Sequence, residues 1–426
     1  MTRLELAGEA EPLRVVVTFP FEIFPVRSGG ALRSYYLLRE LARHFDTEAI
    51  VTDAAGEIQE TLEEELGEDI QGLRVHQMPE PKSSGPALRV VNRIKTVLWS
   101  GSPAVSTNAV VLDTGILLQK VVGKHLPHVA ILTNLESWVC SRMLKKISPA
   151  TTRIIDMHNV EHILFGQNLM ANGISPETDR DWRQLRRTEA NLYRVTDAAF
   201  TCSDEDRLKL SECNGYRLPC ETIPNGVACE VAEFDQNPDK HKNINLLFCG
   251  TLSYPPNVDG LNWFVNEIFP HVLAVHPEIR LRVVGRSFKR NSFPGLSEHP
   301  SIDVIGEVDC VRAEYQQAGI ALCPLRMGSG TRLKVLESMS FGTPTVSTTI
   351  GCEGIKVVDG ETILKCDDAK AFADAINRLI SSPQEFHALR IRARKFVEEH
   401  YGWKVIGNTM AKQVREWYEA SRQATP

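Results

Sequence analysis

The 426 residues carry 48 Lys and Arg against 54 Asp and Glu, a net charge of −6, so no broad basic field is present to hold a nucleic-acid backbone, and small-molecule chemistry is favoured. The length exceeds one core and suits two domains of about 200 residues each. No apolar run reaches the roughly 18–20 residues that span a bilayer, the first nine residues lack a signal peptide's apolar core, and the ten cysteines are scattered without zinc or redox spacing; a cytoplasmic protein with reduced thiols is expected.

In chain order, the apolar run 13–19 predicts a buried parallel strand, followed by a loop with Gly29 and Gly30 and a helix over Leu32–His44. A strand over Thr47–Thr52 and a solvated acidic helix within Glu57–Asp69 come next. In Lys82–Trp99, Arg89, Arg93 and Lys95 alternate with Val90, Val91, Ile94, Val97 and Leu98; such a segment is compatible with peripheral membrane contact, but an ordinary surface helix is the favoured reading. Strands over Ala109–Leu112, Val129–Thr133 and Thr152–Met157 are expected to alternate with helices over Leu117–Lys124 and Glu136–Lys146, then a long helical region over Thr178–Val195 and a strand over Ala198–Cys202. The acidic trio Asp204, Glu205 and Asp206 most simply stabilises the start of the following helix, with no cluster nearby to complete a metal shell.

The polar stretch 233–245 reads as a hinge. Beyond it the pattern restarts with strands over Asn245–Cys249, Arg280–Val284 and Ile302–Ile305, and helices over Val258–Phe269, with Asn257 as its cap, and Cys310–Ala318. A short run at Thr362–Leu364 precedes helices over 369–380, 383–400 and 405–420. The alternation implies an α/β protein of two doubly wound, Rossmann-like domains with a cleft between them, divided as 12–232, 243–400 and a terminal helix within 401–426.

The segment from Ala321 to Glu337 reads strand, glycine loop, helix, and Phe341, Gly342, Thr343 and Pro344 close it before another strand. Gly328 and Gly330 let backbone pass close to a ligand, and the amides of Gly328, Ser329, Gly330 and Thr331 at a helix start favour an anion. Arg332 and Lys334 place cations at the end of a helix where the dipole disfavours them, a placement that a bound diphosphate would explain. Glu337, six residues past Thr331, is expected roughly 9 Å along the axis, within reach of ribose hydroxyls.

The order of motifs resembles a family 4 glycosyltransferase of GT-B fold over nearly the whole chain. Gly29-Gly30-Ala31-Leu32-Arg33 is similar to the family's first loop, and Ile155-Asp156-Met157-His158-Asn159-Val160-Glu161 to a strand ending in a histidine beside the donor sugar. Cys202-Ser203-Asp204 and Pro224-Asn225-Gly226-Val227 resemble a strand end and the motif before the linker. Leu247 to Leu252, Val283 to Arg286 and Ile305 to Val308 resemble three strand ends of the nucleotide domain, and Tyr401-Gly402-Trp403 the signal for a terminal helix that crosses back to the first domain.

The resemblance implies transfer of a sugar, with retention, from a nucleotide-diphosphate donor to a hydroxyl acceptor, without a metal or other cofactor. Under it, His158 contacts the transferred sugar, Gly29 and Gly30 lie near the phosphates, Gly250 and Arg286 border the diphosphate, Val308 lies near the base and Glu337 holds the ribose. Two places depart from the family pattern. Ser329 stands where the first of two glutamates is usual, and Thr251 with Tyr254-Pro255-Pro256 replaces an arginine and a lysine on the diphosphate. Arg332, Lys334 or Arg286 is then expected to supply that charge. The rival readings are a nucleotide-sugar epimerase of the same fold and a binding subunit that has lost catalysis.

Overall fold

Val15, Val16 and Val17 are each 1% exposed, which a strand reaches only when both faces of its sheet are covered. The computed structural model describes residues 12–26, 28–52, 54–78, 109–230, 232, 234, 240–242, 245–293, 295–296, 298–328 and 331–423, with the backbone alone for 109–112 and 171. The basic segment 82–99 therefore lies outside the described residues. By contacts the chain forms two units, Met1–Ile223 with Gly407–Pro426, and Pro224–Ile406.

The first unit runs β1 (Arg14–Thr18), α1 (Gly29–His44), β2 (Asp46–Val51), α2 (Ala55–Leu66), β3 (Leu73–Gln77), α3 (Ala109–Lys124), β4 (Val129–Thr133), α4 (Trp138–Ile147), β5 (Thr152–Met157), α5 (Glu161–Ala171), α6 (Arg180–Ala190), β6 (Ala198–Thr201), α7 (Asp204–Cys213) and β7 (Cys220–Thr222). Its parallel strands are ordered β3-β2-β1-β4-β5-β6-β7. The second unit runs β8 (Leu246–Cys249), α8 (Pro255–Trp263), α9 (Phe269–Val275), β9 (Leu281–Val284), β10 (Ile302–Gly306), α10 (Arg312–Gln317), β11 (Ile320–Cys323), α11 (Leu333–Ser340), β12 (Thr345–Ser347), β13 (Leu364–Lys365), α12 (Ala369–Ser381) and α13 (Pro383–His400). Its order, β10-β9-β8-β11-β12-β13, repeats the first. In each unit the winding reverses beside the first strand, between β1 and β4 and between β8 and β11. Such switch points are where open parallel sheets bind ligands, outside the carboxyl ends of the strands.

Both cores follow from the strand pattern. Leu246, Phe248, Leu281, Val283, Ile320 and Leu322 fill the second sheet and pack with Phe264, Phe269, Phe372 and Ile376 from the helices. In the first unit, Val16, Ala130 and Leu132 meet Leu118, Val121 and Val122 on one side, while Ile155, Met157 and Ala199 meet Leu192 and Leu210. The last helix, α14 (Trp403–Gln423), belongs to the first unit from Gly407 on. A Cβ at Gly407 would stand 2.5 Å from Glu40 Cβ, so helix and α1 touch backbone to side chain there. Further along, Trp417 lies 5.0 Å from Phe200, ring to ring, and Ser421 Oγ is 2.8 Å from Thr152 Oγ1.

Several expected elements change. Ala109–Leu112 is the start of α3 and not a strand: the helix runs on without a break through Asp113, Thr114 and Gly115 to the buried Leu118, Val121 and Val122, whose spacing is helical. The helical region Thr178–Val195 is made of two pieces: α6 stops at Ala190 and a 3₁₀ turn over Leu192–Arg194 follows Asn191, whose side chain bonds back to the Arg187 carbonyl at 2.8 Å. The helix expected over Val258–Phe269 is α8, a π turn over Phe264–Ile268 and α9; Pro270 has no N–H for the carbonyl four residues back. The contact boundary falls at Ile223/Pro224, ahead of the stretch read as a hinge, since Val227 N–H donates to Tyr401 O at 2.9 Å within the second unit.

Candidate functional site

The switch point of the second unit gathers residues from β8, α8, α10 and α11. Gly250 ends β8 and Gly285 ends β9; a Cβ on Gly285 would stand 1.8 Å from Gly250 O, so the two loops touch backbone to backbone. A Cβ on Gly250 would in turn stand 2.8 Å from Lys334 Nζ and 2.7 Å from Asn257 Nδ2. The ammonium of Lys334 thus lies against the open end of β8. It donates to Asn257 Oδ1 at 2.8 Å and sits 4.5 Å from the Phe248 ring centroid, a cation over an aromatic face. Asn257 Nδ2 donates to Thr251 O at 2.9 Å, which fixes the amide's orientation. Burial lowers the Lys334 pKa, with Cys323, Cys249 and Glu337 opposing the shift and Arg332 adding to it.

Glu337 lies three residues beyond Lys334, on the same face of α11. Burial raises its pKa, opposed by a hydrogen bond from Tyr315 and by Lys334. Tyr315 Oη is 3.3 Å from Glu337 Oε2 and 3.3 Å from Lys334 O, so a buried phenol sets the spacing of the pair. Helix α11 begins at Leu333, two residues later than the glycine loop suggests, so Glu337 is about one turn in and not two. The Leu333 and Val335 N–H groups already donate to Thr331 O (3.2 Å) and Arg332 O (2.9 Å). Those two donors are therefore spent locally.

The other expected residues divide. Arg332 caps α11 and is 7% exposed, with one guanidinium nitrogen 3.9 Å from Glu353; a Cβ on Gly328 would stand 3.0 Å from that guanidinium, so Gly328 and Arg332 are neighbours. Thr331 closes the same loop, while Ser329 and Gly330 lie outside the described residues. Arg286 is exposed, and its carbonyl receives Leu252 N–H at 2.9 Å, which ties it to the loop after Gly250. Val308 packs against the cluster that holds Cys249 and Tyr315. Asn257 is not the helix cap expected of it: α8 starts at Pro255, and the Asn257 side chain serves Lys334 instead.

In the first unit, α1 begins at Gly29, capped by Ser28, whose hydroxyl accepts Ala31 N–H at 3.2 Å. Its first turn carries Gly30 to the ring of His158, where a Cβ would lie 3.5 Å from Nδ1. One turn on, Arg33 is 1% exposed and grips Asp156 with both arms, Nε to Oδ2 at 3.1 Å and Nη2 to Oδ1 at 2.6 Å, with Nη1 on Ile223 O at 2.7 Å. Burial opposes both charges, yet their mutual attraction wins: the Asp156 pKa falls far below the carboxylate range and the Arg33 pKa rises. His158 Nε2 is 3.3 Å from Asp156 Oδ2 without hydrogen-bond alignment, and Phe21 meets the imidazole edge-on at 5.7 Å.

Further polar atoms collect at this end of the sheet. Thr18 Oγ1, Thr133 Oγ1, Asn134 Oδ1 and His158 Nε2 are buried without a hydrogen-bond partner among the described residues. Asn134, directly after β4, has φ 64° and ψ 160°, a backbone region that belongs almost wholly to glycine. Buried groups left unsatisfied next to stored strain mark a functional edge. Glu161 opens α5; burial, then Glu136 and Glu189, push its pKa up to about 7. One group of possible metal ligands is found among the described residues, His162, Glu189 and Cys213. Glu189 there accepts Glu161 N–H at 2.7 Å and bonds the His162 ring, which is the work of a helix cap. Asp204, Glu205 and Asp206 behave as expected of a helix start: Ser203 Oγ accepts Asp206 N–H at 3.1 Å.

Arg33, Asp156, Asn257 and Tyr315 were not singled out as site residues from the sequence. Arg33 and Asp156 stand within quoted motifs, but nothing local announces a contact across 123 residues.

Residues 243–382 match the family of group 1 glycosyl transferases. The chain is 29% identical over 183 residues to an uncharacterised protein of the cps region of Klebsiella pneumoniae, covering 40% of this chain and 46% of that protein. It is 24% identical over 254 residues to a glycogen synthase of Mycobacterium tuberculosis, covering 57% and 60%. The chain thus spans about half of the length of the curated relatives it matches. Among solved structures, sucrose-phosphate synthase of Thermosynechococcus elongatus superposes with a TM-score of 0.68 at 15% identity, over 96% of this chain and 100% of that one. The Anabaena protein HepE, in complex with UDP and glucose, superposes with a TM-score of 0.63 at 13% identity, over 95% and 100%. The fold is GT-B, two doubly wound parallel sheets with helices. The match to the group 1 glycosyl transferases lies within the second unit and covers about a third of the chain.

Proposed function

We propose that the protein moves a sugar from a nucleotide-diphosphate donor to a hydroxyl acceptor, with retention and without a metal. The observation that carries this reading is the position of Lys334: a partly buried ammonium at the switch point of the family-matched unit, held by a neutral amide against Gly250. An anion placed there gains a charge-assisted hydrogen bond and restores the protonated form of the lysine. Lys334 thereby answers the family cations missing at Thr251 and Tyr254, with Arg332 and Arg286 as further positive charge beside the same loops. Glu337, its carboxyl spaced by Tyr315, is assigned to the ribose hydroxyls.

Departure of the diphosphate builds negative charge on its oxygens, and Lys334 and Arg332 would stabilise that charge. His158, whose Nε2 makes only the unaligned 3.3 Å contact to Asp156, is assigned to the transferred sugar, with Asn134 at the same sheet end as an acceptor for a ligand hydroxyl. The test is calorimetry with UDP, the nucleotide in the HepE complexes, and with the other common nucleoside diphosphates in chelator. Saturable binding of one of them, reduced in Lys334→Ala, supports the reading; no binding of any overturns it. Turnover of the donor only when acceptor is present separates transfer from epimerisation.

A further inference from the structure

The first unit holds a cavity of about 540 Å³ lined by Trp138 and Arg142 of α4, Gln184, Arg187 and Thr188 of α6, and the turn from Asn191 to Val195. None of its lining residues belongs to the Arg33, Asp156 and His158 cluster, and it does not depend on the donor reading. Positions 184, 187, 188 and 191 form the i, i+3, i+4, i+7 stripe that a packed helix normally makes apolar. Here the stripe is Gln, Arg, Thr and Asn. On α4, Trp138 and Arg142 stand one turn apart and face the same space, and Lys145 continues the row, its ammonium donating to Arg194 O at 2.7 Å. Two helices therefore present polar stripes to each other across a gap.

The charges in that gap have one sign. Arg142, Arg187 and Arg194 line it, and no carboxylate does. Arg187 and Arg194 are exposed, and no acidic group among the described residues pairs with either; Arg194 instead lies 5.7 Å over the Tyr193 ring. Like charges around one cavity repel, and an anion there would remove the repulsion. The neutral side chains carry hydrogen-bonding atoms that suit hydroxyls, and Trp138 offers a flat apolar face. Its indole nitrogen is buried away from that face, without a hydrogen-bond partner among the described residues.

We infer that this cavity binds a phosphate ester of a polyol, the arginines taking the phosphate and Trp138 with Gln184 and Asn191 taking the hydroxylated ring. Two sources carry that chemistry, a soluble sugar phosphate and the headgroup of a phospholipid, and the experiment separates them. The full chain carrying Lys334→Ala, which removes the donor-side ammonium, is titrated by calorimetry with glucose 6-phosphate, glucose and inorganic phosphate. The same protein is sedimented with phosphatidylcholine vesicles with and without phosphatidic acid. Saturable binding of glucose 6-phosphate in preference to glucose, weakened at least about tenfold when Arg187→Gln and Arg194→Gln are combined, supports the site and a soluble ligand. Trp138→Leu is then expected to narrow the preference for glucose 6-phosphate over inorganic phosphate. Binding confined to vesicles with phosphatidic acid, and lost with the same two arginines, supports the site and a lipid source. Because both arginines are exposed, the glutamine variant should keep the parent's melting temperature, which is checked first. Binding of neither probe, or binding indifferent to the arginines, overturns the inference.

Discussion

The two units wind their strands in the same order, yet they treat the cation at the carboxyl end of the sheet in opposite ways. In the first, Arg33 is fully buried and its charge is matched by Asp156, so the edge presents a neutral pair with a histidine and an amide beside it. In the second, Lys334 is partly buried against an amide and a ring, and among the described residues no carboxylate lies within ion-pair distance, Glu337 acting on it only from further away. One scaffold therefore carries a charge-matched edge in the first unit and a cationic one in the second. The difference arises from side chains alone, because the backbone topology is shared.

The contrast is broken most sharply at the buried pair. Arg33→Ala or Asp156→Ala leaves the other charge unmatched and should cost about 3–5 kcal/mol, read as a lower denaturation midpoint, whereas Lys334→Ala should cost far less. Equal losses in the two units would mean that the lysine is also a structural charge. On binding the order reverses: Lys334→Ala should weaken nucleoside diphosphate by about 1.5–3 kcal/mol and leave the nucleoside nearly unchanged. Asn257→Ala should follow in the same direction with a smaller loss. Diphosphate affinity should also fall as pH rises through the lowered Lys334 pKa, because the ammonium is the form that attracts.

Glu161 tests the first unit's edge by titration. Its folded pKa, about 7, lies above the usual carboxyl value of 4.5, so the folded state holds the proton more tightly and stability declines as pH rises between those values. Glu161→Gln should remove that decline, gaining roughly 3 kcal/mol at pH 8 over the parent and little at pH 4. Thermal unfolding across that range decides it; parallel pH profiles for parent and variant would show that the carboxyl is not the cause. The smallest effect is expected at Asn134, where Asn134→Gly relieves the backbone and should stabilise by about 1 kcal/mol while donor turnover falls. A gain in stability with undiminished turnover would remove the amide from the site.

The alternation of apolar runs and helical periods was enough to announce two doubly wound sheets, since β1, β4, β5, β8 and β11 are buried on both faces and read as continuous apolar segments. The spacing within one segment likewise kept Gly328, Lys334 and Glu337 together, because residues close in sequence cannot stray far, whereas Gly250 joined them only through the resemblance. What only the tertiary structure decided is who partners whom. Arg33 meets Asp156, Lys334 meets Asn257 and Glu337 meets Tyr315 across 123, 77 and 22 residues, and no local pattern encodes a contact between different elements. Ala109–Leu112 shows the same limit from the other side: a short apolar run is compatible with strand or helix, and here it forms the first turn of α3. Charge behaves likewise, for whether a cation is neutralised or left to bind depends on which side chain the fold sets within 3 Å of it.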